Sequence, residues 1–219
     1  MKISQFSRYE FNEYNSTGIK TEINLLNNSD LKVILHEELE SQIEDQDIEL
    51  VNEFDPLLFS VDIEKSKLVN SKELDIDFLT LLDGHHRFDF ISRNNINSEI
   101  KMVIVSFEDV NVDSYLSEIN IGKEDFINLL ESKKFKINSN SGFYLKIDND
   151  IYSSNEISTI YELYDFKREC FKNGLISPLA NDIQSKKQNV LSFTPIKLNE
   201  FYKENYLFPP KSTWITPRI

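Results

Sequence analysis

The chain has 219 residues, 40% hydrophobic and 12% aromatic, with 16 Phe and 9 Tyr; these are globular values and argue against extensive disorder. A formal net charge of −13 repels a polyanion, so no nucleic-acid partner is expected, although a small nucleotide held in one pocket escapes that objection. No apolar run is long enough to span a bilayer and no charged-then-apolar leader follows Met1, so no membrane partner is expected; the single Cys170 forbids an internal disulfide and fits a reducing, cytoplasmic location.

Taken in chain order, residues 1–30 are polar and aromatic with weak alternation, as in Ile19-Lys20-Thr21-Glu22-Ile23, which predicts one or two short strands. Val33-Ile34-Leu35 predicts a short buried strand ending at His36-Glu37-Glu38. Leu39, Ile43, Leu50, Val51 and Phe54 then recur at helical spacing until Pro56. Leu57 to Ile63 reads as a strand, and Phe78 to Leu82 as a second one that runs into Asp83-Gly84-His85-His86-Arg87. Phe88 and Ile91 begin a helix that ends near Asn94-Asn95, and Lys101 to Phe107 alternates as a strand. Beyond it, Phe126, Ile127 and Leu130 suit a helix and Gly142 to Ile147 a strand. Ile157, Ile160, Tyr161, Tyr164 and Phe171 mark a longer amphipathic helix whose aromatic stripe reads as core. Cys170 lies in it and reads as a packed, inert thiol. A short helix at Leu198 to Tyr202 precedes the tail Phe208-Pro209-Pro210-Lys211-Ser212-Thr213-Trp214. Strand and helix in alternation make the class α/β or α+β.

Two of the chain's three histidines stand in the Asp83–Arg87 segment. A strand that stops at Asp-Gly and restarts as a helix points backbone N–H groups and the helix's positive end into one spot, which suits a phosphate. Gly84 lets backbone approach a ligand, Arg87 can clamp phosphate oxygens, and His86 can stabilise charge on a transferring phosphoryl group. Asp83 can hold a magnesium ion or orient a nucleophile. The same residues also suit a plain tight turn, with Asp83 capping the helix and Arg87 at the surface. A metal site from His36, His85 and His86 is the sharper rival; adjacent histidines on a turn diverge, and no His-x-x-His or Cys pair supports zinc. Glu37, with Glu38 beside it, can act as a general base on a hydroxyl, or merely favour the N-terminus of the next helix. Lys211, Ser212 and Thr213 can bind an anionic group, or belong to a tail docked by Trp214. The other cations, Lys186-Lys187 and those around Lys133, Lys134 and Lys136, read as solvated faces.

The stretch from Val33 to Phe107 resembles the ParB/sulfiredoxin-like fold, whose Gly-x-His-Arg turn between strand and helix is matched by Gly84-His85-His86-Arg87. The spacing from Leu35-His36-Glu37 to Asp83-Gly84 looks most like the free-serine kinases on that fold. Asp83 to Phe88, with Pro209-Pro210-Lys211-Ser212-Thr213-Trp214 and Pro217-Arg218, also resembles a widespread prokaryotic domain-of-unknown-function family. That family usually has Tyr or Phe at the Trp214 position and Lys at the Arg218 position.

The resemblance implies a mixed sheet with flanking helices in residues 1–107 and an α+β substrate-binding extension in residues 108–219. It implies a kinase that moves a phosphoryl group from ATP or ADP, with Mg2+, to the hydroxyl of L-serine or a similar small metabolite. Glu37 would be the base, with Asp83 and His86 the other catalytic groups. Gly84, His85, His86 and Arg87 would bind the nucleotide phosphates, Asp83 the Mg2+, and Lys211, Ser212 and Thr213 the substrate. The alternative is a non-catalytic nucleotide-binding regulator of ParB type. Sulfiredoxin-type repair needs a Cys at the phosphate turn, where this chain has histidine.

Overall fold

In a computed structural model, residues 1–25, 28, 30–39, 54–137, 142–179, 189–202 and 206–219 are described. The helix expected across Leu39 to Phe54 falls almost wholly outside them, as do Lys186 and Lys187. The protein is α+β and divides into two compact units, Met1–Asn111 with Ile215–Ile219, and Val112–Trp214.

The first unit contains β1 (Lys2–Ile3), β2 (Ser7–Glu10), β3 (Thr17–Ile23), β4 (Lys32–Ile34), β5 (Leu57–Val61), α1 (Lys65–Asn70), β6 (Leu74–Asp75), β7 (Phe78–Asp83), α2 (His85–Arg93) and β8 (Ile100–Ser106). Its main sheet has six strands in the order β2-β3-β8-β5-β7-β4. The sheet is mixed: β4 runs parallel to β7 and β5 parallel to β8, whereas β5 and β7 are antiparallel. All five residues of β5 are buried, as an unbroken apolar run predicts for a central strand with both faces covered. β3 instead alternates along much of its length, so one face meets the core and one meets water. Phe59, Leu68, Leu79, Leu81, Phe90, Met102 and Ile104 form the centre of the core.

Two features of this sheet prepare the site. The parallel pairing of Lys32, Val33 and Ile34 with Phe78, Leu79 and Thr80 makes both strands end at the same edge of the sheet. That is where open α/β sheets place ligands, because the connecting segments leave a crevice beyond the strand ends. The second feature is a bulge. Leu58 faces Asp83 while the next residue, Phe59, faces Leu81, so Leu82 is an extra residue in β7. Such an insertion bends the strand and re-aims the side chain that follows it, here Asp83.

The second unit holds most of β9 (Asn111–Ser114), then β10 (Ser117–Ile119), α3 (Lys123–Ser132), β11 (Lys136–Ile137), β12 (Tyr144–Ile147), β13 (Asp150–Ser153), α4 (Ile160–Lys172), β14 (Ile176–Pro178), β15 (Val190–Phe193) and the start of β16 (Thr213–Thr216). Its six strands pair antiparallel in the order β11-β13-β12-β15-β10-β14. Thr159 and Glu162 form a capping box that starts α4, satisfying N–H groups the helix would otherwise leave open. The aromatic stripe of α4 is core, as predicted: Tyr164 is fully buried and Phe166 nearly so. Cys170 is buried among it, and burial pushes its thiol up to about 12, far from a reactive thiolate. A 3-10 helix occupies Leu198–Tyr202, matching the predicted short helix.

The first unit continues to Asn111, and the last five residues rejoin it. Ile215 and Pro217 are buried. Among the described residues no helix is long and apolar enough to cross a membrane.

Candidate functional site

In the first unit the site grows from the β7–α2 junction. Gly84 adopts φ 91°, in the left-handed region where a Cβ is strained. Its surroundings forbid a side chain too: a Cβ would lie 2.6 Å from Leu57 Cδ2 and 2.9 Å from an Arg87 Nη atom. The Gly84 N–H donates to Asp83 Oδ1 at 2.9 Å, and the Gly84 carbonyl accepts from Phe88 N at 2.8 Å, closing the first turn of α2. Gly84 offers α2 no side-chain cap, and no acidic residue stands in its first turn. Within the first turn the polar side chains at the positive end of the helix dipole are His85, His86 and Arg87, with the Asp83 carboxylate just before it on the Gly84 N–H, and the turn's own chemistry fits an anionic phosphate.

Asp83 is tied to the end of the chain. Arg218 Nη2 stands 3.5 Å from Asp83 Oδ1, with both side chains about one-third exposed. Arg87 is drawn away from an open-surface role: Nη1 donates to the Asp55 carbonyl at 2.8 Å, and its guanidinium packs over Gly84. Arg87 also lines a cavity of about 230 Å3 with Glu22, Leu57, Ile91, Glu99 and Lys101.

His36 and Glu37 follow β4 at the same sheet edge. His36 is completely buried and Glu37 nearly so, with His36 Nε2 standing 3.8 Å from Glu37 Oε1. The His36 ring meets the His85 ring edge to face, centroids 4.9 Å apart and planes at 78°. Burial, reinforced by His85, holds the His36 imidazole well below its usual range, while a hydrogen bond with the Leu81 backbone opposes the shift. His36 is therefore neutral at physiological pH. The structure thus brings together Glu37, His36, His85, Gly84 and Asp83, which lie almost fifty residues apart in the chain. Sequence reasoning treated His36 only as a possible metal ligand and missed its ring contact. The signal available was that strands paired in parallel run toward the same edge of the sheet. Among the described residues, no three His, Cys, Asp or Glu side chains are grouped as metal ligands.

The tail residues Lys211, Ser212 and Thr213 belong to the second unit. Ser212 is fully buried and its hydroxyl donates to the Pro209 carbonyl at 2.6 Å, so that proton is committed to the turn. Lys211 takes φ 56°, a left-handed conformation uncommon in a residue with a Cβ. Its Nζ lies 5.7 Å from the centre of the Tyr115 ring, and Tyr115 in turn meets Trp214 edge to face. The Ser212 carbonyl accepts from Tyr115 N at 3.1 Å and from the Tyr164 hydroxyl at 3.5 Å. Beneath the turn lies a residue that sequence reasoning passed over. Lys167 is fully buried, and its Nζ donates to the Lys211 carbonyl at 2.8 Å. Its position was legible as an anomaly, since it falls on the apolar stripe of α4 with Ile160, Leu163, Tyr164 and Cys170.

No family model matches the chain, and no curated protein matches it. Solved structures do. The chain is similar to SbnI with C-terminal truncation from Staphylococcus aureus, at TM-score 0.58 and 10% identity, over 91% of this chain and 84% of that one. It is also similar to a free serine kinase in complex with AMP, at TM-score 0.52 and 16% identity, over 90% and 86% of the two chains. A glutamate-to-alanine mutant of free serine kinase in complex with AMP gives TM-score 0.50 at 14% identity, over 94% and 90%. These likenesses support the fold expected from the Gly84–Arg87 turn.

Proposed function

We propose that the protein is a small-molecule kinase that transfers a phosphoryl group from ATP or ADP to the hydroxyl of L-serine or a similar small polar metabolite. The observation that carries this reading is the His36–His85 ring contact at 4.9 Å. It puts the segment bearing Glu37 beside the turn suited to phosphate, which supports reading Glu37 as the base and that turn as the phosphate cradle. The likeness to a free serine kinase crystallised with AMP supports the reading at the level of the fold.

In this reading Glu37 takes the proton of the acceptor hydroxyl, whose oxygen attacks the terminal phosphorus of the donor as the bond from that phosphorus to the bridging oxygen breaks and ADP (from ATP) or AMP (from ADP) leaves. Phosphoryl transfer asks the protein mainly for positioning and charge stabilisation. The Gly84 turn and the N-terminus of α2 hold the donor phosphates, with His85 and His86 donating to their oxygens. Arg87 must exchange its bond to the Asp55 carbonyl for a phosphate oxygen to join them. Asp83 would hold a Mg2+ accompanying the nucleotide, which would supply charge neutralisation on the phosphates, or would orient the acceptor; Arg218, 3.5 Å from Asp83 Oδ1, limits where its carboxylate can point. Neutral His36 packs behind Glu37 without competing for its proton. Lys211 and Thr213 take the acidic group of the acceptor or the phosphate of the product, while Ser212 braces their turn.

The test is incubation of the purified protein with Mg2+, ATP or ADP, and a panel of hydroxyl metabolites led by L-serine, read by mass spectrometry. A phosphorylated product that disappears in Glu37→Gln supports the kinase. Nucleotide that binds but stays intact with every acceptor moves the assignment to a nucleotide-binding regulator.

A further inference from the structure

Lysine side chains at the edge of a core normally run their stems along apolar surface and leave the ammonium in water. Lys167 does not. It is fully buried, on the buried face of α4. Its Nζ lies 5.2 Å from the Phe193 ring centre, 5.3 Å from Tyr164 and 5.6 Å from Phe171. Three aromatic faces offset part of the cost of removing the ammonium from water. A leucine or methionine would pack against the same rings with no such cost. What the ammonium adds is a charge-assisted hydrogen bond to the Lys211 carbonyl, 44 residues along the chain.

That carbonyl belongs to a residue with a left-handed backbone, Lys211 at φ 56°. Two further carbonyls of the turn are also held: Pro209 accepts from the Ser212 hydroxyl, and Ser212 accepts from Tyr115 N and the Tyr164 hydroxyl. Pro209, Lys211 and Ser212 thus have their oxygens engaged by donors of this same unit. A turn whose carbonyls are engaged in this way does not set those negative oxygens against an approaching anion.

We propose that Lys167 is the positioning residue of the Pro209–Thr213 turn: its buried ammonium anchors the Lys211 carbonyl and so sets Lys211 and Thr213 to receive an anionic group. The inference rests on the reading of that turn as the binder of the acceptor's acidic group. Lys167 itself never touches the ligand.

Trp214, the chain's only tryptophan, follows Thr213 directly and reports on this turn. Inorganic phosphate and O-phospho-L-serine are titrated into the full chain while Trp214 emission is followed, with thermal melts recorded for every variant. The wild type gives a saturable change that Lys211→Ala abolishes. Lys167→Met, which keeps the length and removes the charge, weakens the anion by about tenfold or more through misplacement of the turn, and Lys167→Arg restores part of it. In turnover, the same variant raises KM for the acceptor and leaves KM for the nucleotide unchanged. A Lys167→Met protein that melts lower yet binds both anions with wild-type affinity overturns the proposal and makes Lys167 a core residue only. If Lys167→Met does not fold, Lys167→Gln decides in the same way, weaker binding supporting the proposal and unchanged binding refuting it. A wild type that responds to neither anion overturns instead the reading of the turn as an anion site, and the proposal falls with it.

Discussion

The two motif-bearing turns of this protein are built by different means. The Asp83–Arg87 turn is assembled locally: a bulge re-aims Asp83, Gly84 takes the left-handed conformation, and α2 begins at once. The Pro209–Thr213 turn has the opposite construction. Its left-handed residue is a lysine, and its shape depends on donors from Tyr115, Tyr164 and Lys167, 44 to 97 residues away in the chain. Local construction leaves a readable signature because the demanding position accepts only glycine. Remote construction leaves almost none, since any sequence can be held in a turn if the surrounding core supplies the donors.

The sharpest way to break this comparison is to separate chemistry from construction. Glu37→Gln keeps the volume of the side chain and removes the base, so turnover falls by about 10²–10⁴-fold while nucleotide affinity stays near that of the wild type. Equal losses in both, measured by product formation and by nucleotide titration, would make Glu37 a structural residue. Gly84→Ala attacks the local turn. The new Cβ meets Leu57 and Arg87 at φ 91°, at a cost of about 1–3 kcal/mol, and nucleotide affinity drops with it. Because the tail turn is built independently, its Trp214 response to phosphate survives that substitution; loss of both responses would show that the two turns are not independent.

A smaller effect sharpens the picture of the first unit. His36 has its folded pKa depressed by burial, so below about pH 6.5 the unfolded chain takes up a proton that the folded chain resists. Stability is fully present above that pH and falls as pH drops, by at most about 1.4 kcal/mol per pH unit. In His36→Gln the melting temperature declines less steeply between pH 7 and 5, whatever its value at pH 7. An unchanged slope would show that His36 is accessible to protons in the folded protein. The smallest effect is expected of Arg218→Ala. Its pair with Asp83 is 3.5 Å long and partly exposed, so stability changes by less than about 1 kcal/mol. A larger loss, seen by thermal melting, would mean that the returning C-terminus holds the first turn as firmly as the core does.

Much of the fold was legible because apolar patterning has a period. The buried run Leu57–Val61, the strand before Asp83, the alternation in Ile100–Ser106 and the aromatic stripe of α4 were read within a few residues of their observed limits. α1, by contrast, has only six residues and a single buried one, Leu68, too little to show a helical period. The β11 and β14 strands are two and three residues long, and they exist because neighbours supply their hydrogen bonds.

What the sequence determined by itself was local chemistry: an Asp-Gly junction between an apolar strand and a helix, a His-Glu pair at another strand end, and a tail rich in proline and hydroxyl. Tertiary structure decided which of these meet. The parallel pairing of β4 with β7 placed His36 on His85; the last five residues joined the first unit and brought Arg218 to Asp83; and α4 brought a buried ammonium under Lys211. The reason is one of range. Backbone preferences act over a few residues and are written in those residues, whereas a contact between distant segments depends on the packing of everything between them.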